Sequence, residues 1–130
     1  MAHRPFDLEE RLLEFPAEIM ILAEALPRTR SGNHVAAQII RCGTSPLSNQ
    51  GEAQSAESQQ DFIHKMKIGL KELRETKRWL ALTKRASLIK TATRVDPLLA
   101  ETEELVKIFF TSIRTAERNR LKPPDPPPQK

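Results

Sequence analysis

Three histidines, one cysteine and a run of lysines and arginines are the side chains of this 130-residue chain with the most chemical scope. A di-iron centre in a helical protein needs two Glu-x-x-His motifs and two further glutamates facing inward. The nearest approach is Asp61-x-x-His64, and it occurs once. His3 precedes the first helical stretch, His34 falls near a helix start, and His64 points away from the face to which Phe62 belongs. All three read as solvent-facing, so no metal site is assigned. Cys42 has no base beside it and falls on an apolar seam, which makes it a small core residue rather than a nucleophile. A single cysteine also excludes an intramolecular disulfide and a multi-cysteine zinc site. Neither a phosphate-binding glycine loop nor a nucleophile elbow nor a paired-carboxylate constellation occurs. The sequence therefore assigns no catalytic residue and no cofactor, and reads as a non-enzyme.

The cations form a stronger pattern. At ~100° per residue, Lys67, Lys71, Arg74, Arg78 and Arg85 fall within about 60° of one another on a helix, away from Phe62, Leu73 and Leu80. Such a ridge could follow a phosphate backbone. Because charged helix faces are common, the sequence alone favours a solvated or subunit-contacting face, with Glu72 and Glu75 interleaved nearby. No aromatic residues interleave with the cations in sequence, so the contacts expected with a nucleic acid are electrostatic and indifferent to base identity.

A ridge needs a helix to hold it, and four stretches carry a helical period. Leu8, Leu12, Phe15, Ile19, Leu22 and Leu26 make one seam over about 7–26. Asp7 with Glu10 reads as a capping box, and Pro16 as an internal kink. Residues 28–32 read as a loop. The second helix spans about 33–57, with a seam of Val35, Ile39, Cys42, Pro46, Asn49, Ala53 and Ala56 and a second stripe of Ala36, Ile40, Gly43 and Leu47. Two stripes imply two neighbours, and a polar Asn49 on the seam can fix register or oligomer state. The third helix, about 58–85, opens on Ser58 and Asp61 and turns Phe62, Met66, Gly69, Leu70, Leu73, Thr76 and Leu80 inward. The fourth, about 96–118, starts on an Asp96 N-cap and Pro97. Residues 1–118 thus form one domain, and 119–130, with five of the ten prolines, a disordered tail.

Composition agrees with an all-α fold. There is no Tyr and few aromatic residues, which argues against a β-sandwich or barrel. The longest apolar run is Ile19–Ala23, so no membrane span is expected, and the acidic N-terminus does not resemble a signal peptide. A cytoplasmic protein is expected. The net charge of +4 hides a strong polarity: residues 1–26 carry six acidic and two basic side chains, residues 58–94 ten basic and three acidic. Such a chain can pair its own segments or neighbouring subunits, and can present a basic surface to a polyanion.

The run Phe6–Leu12, the run Gly43–Ala53, the run Asp61–Lys67 and the run Leu70–Thr76 together resemble the bacterial four-helix-bundle family of proteins encoded in 23S rRNA intervening sequences. The resemblance covers about 6–118, and its signature of Ser-Pro-x-x-Asn-x-x-Glu-Ala is here Ser45, Pro46, Asn49, Glu52 and Ala53. It implies an up-and-down four-helix bundle assembled as a homopentamer, similar to the accessory protein of diversity-generating retroelements, with no catalytic activity attributed to the family. On this reading the signature residues are structural, with Asn49 and Glu52 in buried or interfacial hydrogen bonds. The partners expected are the chain itself and RNA or a nucleic-acid-associated protein, with no membrane. The competing expectation is a protein–protein adaptor without a nucleic-acid role, which the proline-rich tail favours.

Overall fold

The computed structural model describes residues 7–121 and Pro128. Its elements are α1 (Leu8–Ala25), α2 (Arg30–Gln54), α3 (Gln59–Arg85), a 3₁₀ turn at Ala92–Arg94 and α4 (Asp96–Leu121), with no strand among the described residues. His3 and the tail beyond Leu121, apart from Pro128, lie outside them. None of the helices is long and apolar enough to cross a membrane.

The helices pack in chain order, each antiparallel to the next. Lys67 meets Glu117 at one end of the α3–α4 pair and Lys84 meets Asp96 at the other. Arg41 meets Glu72 midway along the α2–α3 pair, and Lys65 meets Glu52 near the turn that joins them. The α1 seam is buried as its 4-3 spacing requires, from Leu12 through Phe15, Ile19 and Leu22 to Leu26. From α4, Leu98, Leu105, Phe109 and Ile113 join the same core. Side chains of this size each contribute about 1.5–3 kcal/mol when fully buried.

The helix boundaries depart from expectation where side-chain chemistry settles them. Thr29, placed in a loop by its neighbours Arg28 and Gly32, is an N-cap: its hydroxyl oxygen accepts from the Gly32 N–H at 3.1 Å, and α2 starts at Arg30. At the other end α2 stops at Gln54, short of 57. Asp7 precedes α1 without a side-chain cap, so the Asp7–Glu10 capping box does not form. Ser58 does cap α3, accepting from the Asp61 N–H at 3.0 Å. Asp96 is the first residue inside α4 rather than its cap, because the preceding 3₁₀ turn leads Val95 in at helical angles and leaves the Asp96 carboxylate free to accept from Lys84 at 2.8 Å. Residues 119–121, assigned to the tail, continue α4.

Packing also corrects two faces. Ile63, not Phe62, is the buried residue at the start of α3; Phe62 is half-buried over the α2–α3 turn and the C-terminal part of α4. The second stripe of α2 is occupied within the chain, since α2 lies between α1 and α3. Gly43 is buried against Ile19, and Ala36 and Leu47 pack on the core. That stripe therefore gives no argument for a second copy. Both prolines of the helix interiors, Pro16 and Pro46, are buried in continuous helices. Upstream of Pro46, which lacks an N–H, the Thr44 and Ser45 hydroxyls donate to the carbonyls of Ile40 and Arg41 at 2.6 and 2.7 Å.

Candidate nucleic-acid interface

All five ridge cations are placed on α3, and Lys67, Lys71, Arg74, Arg78 and Arg85 lie on its solvent side. Their carboxylate neighbours form their hydrogen bonds on another side of the helix. Glu72 and Glu75 lie on the α2 side of α3, where the Arg41 guanidinium donates to both. Glu75 also accepts the Trp79 indole N–H at 3.0 Å. The Trp79 hydrogen bond and then Arg41, working against desolvation, hold the Glu75 carboxyl below the usual carboxylate range. One α2 cation thus engages both glutamates and offsets about one of their two charges, and Lys71 of the ridge also acts on Glu75.

The ridge then divides by its surroundings. Its N-terminal part, Lys67, Lys71 and Arg74, lines a cleft of about 430 Å³ between α3 and α4, opposite Phe110 and Arg114. The Phe110 ring is 45% exposed and carries the Arg114 guanidinium at 5.8 Å from its centroid. Lys67 is held loosely by Glu117 at 3.4 Å, both side chains being about half-exposed, whereas Lys71, Arg74 and Arg114 form no ion pair among the described residues. In the C-terminal part Arg78 lines an apolar surface instead, with Trp79, Ala81 and Leu82, of which Leu82 is 44% exposed, and Arg85 is exposed at the end of the helix.

Phe110 and Arg114 were invisible to sequence reasoning because they belong to a different helix, some way along the chain from Lys71 and Arg74. The signal available was their spacing, Lys107, Phe110 and Arg114 at helical intervals on one face of the last helix. Aromatic and cationic groups do therefore meet at this cleft, contrary to the sequence expectation, through tertiary contact rather than interleaving.

The remaining chemically capable side chains stay apart. Cys42 is fully buried, and that burial pushes its thiol pKa up. His34 packs edge-on to Trp79 at 5.7 Å, and His64 is exposed. No three of His, Cys, Asp and Glu among the described residues are grouped to hold a metal ion. Of the signature residues, Pro46 and Ala53 are buried and Ser45 bonds back to its own helix. Asn49 is half-buried, its Cβ 3.3 Å from the position a Cβ would take on Gly69 of the neighbouring helix. Glu52 is exposed, 3.4 Å from Lys65, so of the buried or interfacial hydrogen bonding expected of it the buried form does not occur within one copy.

The family model described as 23S rRNA-intervening sequence protein matches residues 7–111, from the start of α1 well into α4. The chain belongs to that family. A crystal structure of a protein of unknown function from the S23 ribosomal protein family of Bacteroides thetaiotaomicron is similar to it, with 34% sequence identity and a TM-score of 0.75. The similarity covers 81% of this chain and 96% of that one. No curated protein matches the chain.

Proposed function

We propose that the protein is a non-enzymatic, cytoplasmic four-helix bundle that assembles as a homopentamer and binds RNA in the α3–α4 cleft. The observation that carries the RNA reading is the grouping of Lys71 and Arg74 with Arg114 around the exposed Phe110 ring, while the neighbouring Glu72 and Glu75 both accept from Arg41 on the α2 side. Cations in such a cleft attract phosphates and release counterions on binding. An exposed ring with a guanidinium over it offers a stacking surface for an unpaired base. The combination favours single-stranded or looped RNA, read mainly through its backbone. Repetition of the cleft around a ring would raise avidity beyond what the cations of one copy supply.

The test is titration of a fluorescent single-stranded RNA with the full chain at several salt concentrations. The expected affinity falls steeply as salt rises, and charge reversal at Lys71 and Arg74 reduces the logarithmic slope by about 0.7 for each phosphate that is no longer neutralised. Phe110→Ala weakens binding by about 1–3 kcal/mol while leaving the salt slope in place. Absence of binding at low salt overturns the RNA reading. It would favour the adaptor reading, whose support is the apolar surface that Trp79 and Leu82 present beside Arg78.

A further inference from the structure

The α3–α4 cleft combines cations and the Phe110 ring over a floor of buried Leu70 and Ile113, and Glu117 is the one carboxylate among the described residues that line it. In a site for phosphates such a group is a cost, because it repels the oxygens that the cations attract. Nor is Glu117 a firm clip between the helices. It lies 3.4 Å from Lys67, with the two side chains 43% and 56% exposed, and a pair of this length and exposure contributes little to stability. Its oxygens are therefore available to another donor.

The register of the two helices limits which donor that is. They run antiparallel, with Lys67 beside Glu117 and Lys77 beside Glu103. The cleft is thus ordered along its length, with Arg74 and Phe110 toward one end, Lys71 and Arg114 in the middle, and Lys67 and Glu117 at the other. Phe110 and Glu117 are two helical turns apart, about 10 Å along α4. Side chains on a helix lean the same way, toward its N-terminus, which preserves that spacing. A base stacked on Phe110 therefore has its edges beyond the reach of Glu117. A strand laid along the cleft instead places its sugar–phosphate backbone beside Glu117, between the cations that hold successive phosphates. An ionised carboxylate only accepts hydrogen bonds, and the one donor within such a backbone is the 2′-hydroxyl, which DNA lacks.

We infer, on the RNA reading proposed above, that Glu117 accepts a hydrogen bond from a ribose 2′-hydroxyl and makes the cleft select RNA over DNA. Against DNA the same carboxylate meets no donor and only repels the backbone. One residue thus strengthens the binding of one polymer and weakens that of the other.

Titration of the full chain at low salt with labelled oligouridine, oligodeoxyuridine and 2′-O-methyl oligouridine isolates the sugar, because the base is common to all three. The expected preference of the wild-type chain for oligouridine over oligodeoxyuridine is on the order of tenfold, as for one hydrogen bond to a charged group. The 2′-O-methyl strand keeps the RNA-like sugar conformation without the hydroxyl donor, and should bind like the deoxy strand. Glu117→Ala is expected to bring the ratio of affinities to about one, by weakening RNA and strengthening DNA, with unchanged helicity by circular dichroism. Lys67→Ala should weaken both strands and preserve the ratio, which separates hydrogen bonding by Glu117 from its contact with Lys67. Equal wild-type affinities for RNA and DNA overturn the role of Glu117 while leaving phosphate binding in the cleft intact. So do a preference retained in Glu117→Ala, a preference lost in Lys67→Ala, or a 2′-O-methyl strand that binds like RNA. If none of the strands binds, the RNA reading itself falls, and the sugar selection with it.

Discussion

Arg11 sits one position before the α1 seam residue Leu12, where a helix of this pattern has room for a side chain that straddles core and surface. Its Nε donates to Glu101 Oε2 at 2.9 Å and its Nη2 to Oε1 at 2.5 Å, a bidentate pair across the gap between the first and last helices. The Glu101 hydrogen bond outweighs burial and raises the Arg11 pKa further, so the guanidinium is charged at any working pH. Arg11 is only 9% exposed, and removal of its partner leaves a nearly buried charge without compensation. Glu101→Ala is expected to cost about 1–3 kcal/mol in urea unfolding, since charged hydrogen bonds of this kind are partly screened here by the exposed side of Glu101. Arg11→Met combined with Glu101→Leu should cost less than the single change. Nothing in the hydrophobic pattern distinguishes Arg11 from a surface arginine; its partner is on the last helix and only packing brings it near.

At the scale of the helices, the ends and close approaches decide stability. Helix α3 finishes in a Schellman arrangement: the Leu88 N–H reaches the Thr83 carbonyl and the Ser87 N–H the Lys84 carbonyl, both at 3.1 Å. Ser87 takes φ 53°, a left-handed value that costs a residue with a Cβ. Ser87→Gly should raise stability by about 0.5–1 kcal/mol, seen as a higher denaturant midpoint with an unchanged slope. The helix-interior glycines behave in opposite ways. A Cβ on Gly43 would lie 2.8 Å from Ile19 Cγ2, whereas one on Gly51 meets nothing within 4 Å. Gly51→Ala is therefore expected to gain up to about 1 kcal/mol of helix propensity, and Gly43→Ala to lose stability despite the same gain. The 3.6-residue period made the helices legible, but it could not show which small residue was a contact and which was spare.

For the whole molecule, the decisive property is how charge is apportioned among helices. The acidic α1 and basic α3 lie on non-adjacent helices, so their attraction is available between copies more than within one. The self-association proposed above would make stability depend on concentration, and the melting temperature of the full chain should then rise with protein concentration. Scanning calorimetry over a range of concentrations checks this. The sequence by itself determined the class of fold, the four helices to within a few residues of most ends, and the shared face of Lys67, Lys71, Arg74, Arg78 and Arg85. Those follow from local periodicity, which is a property of neighbouring residues. Only the tertiary structure decided that Glu72 and Glu75 share Arg41, that Phe110 and Arg114 complete the cleft beside Lys71 and Arg74, and that the ridge splits into a half beside that cleft and a half beside an apolar surface. Those facts depend on which helix lies beside which, and the pattern within a helix does not encode the identity of its neighbour's facing side chain.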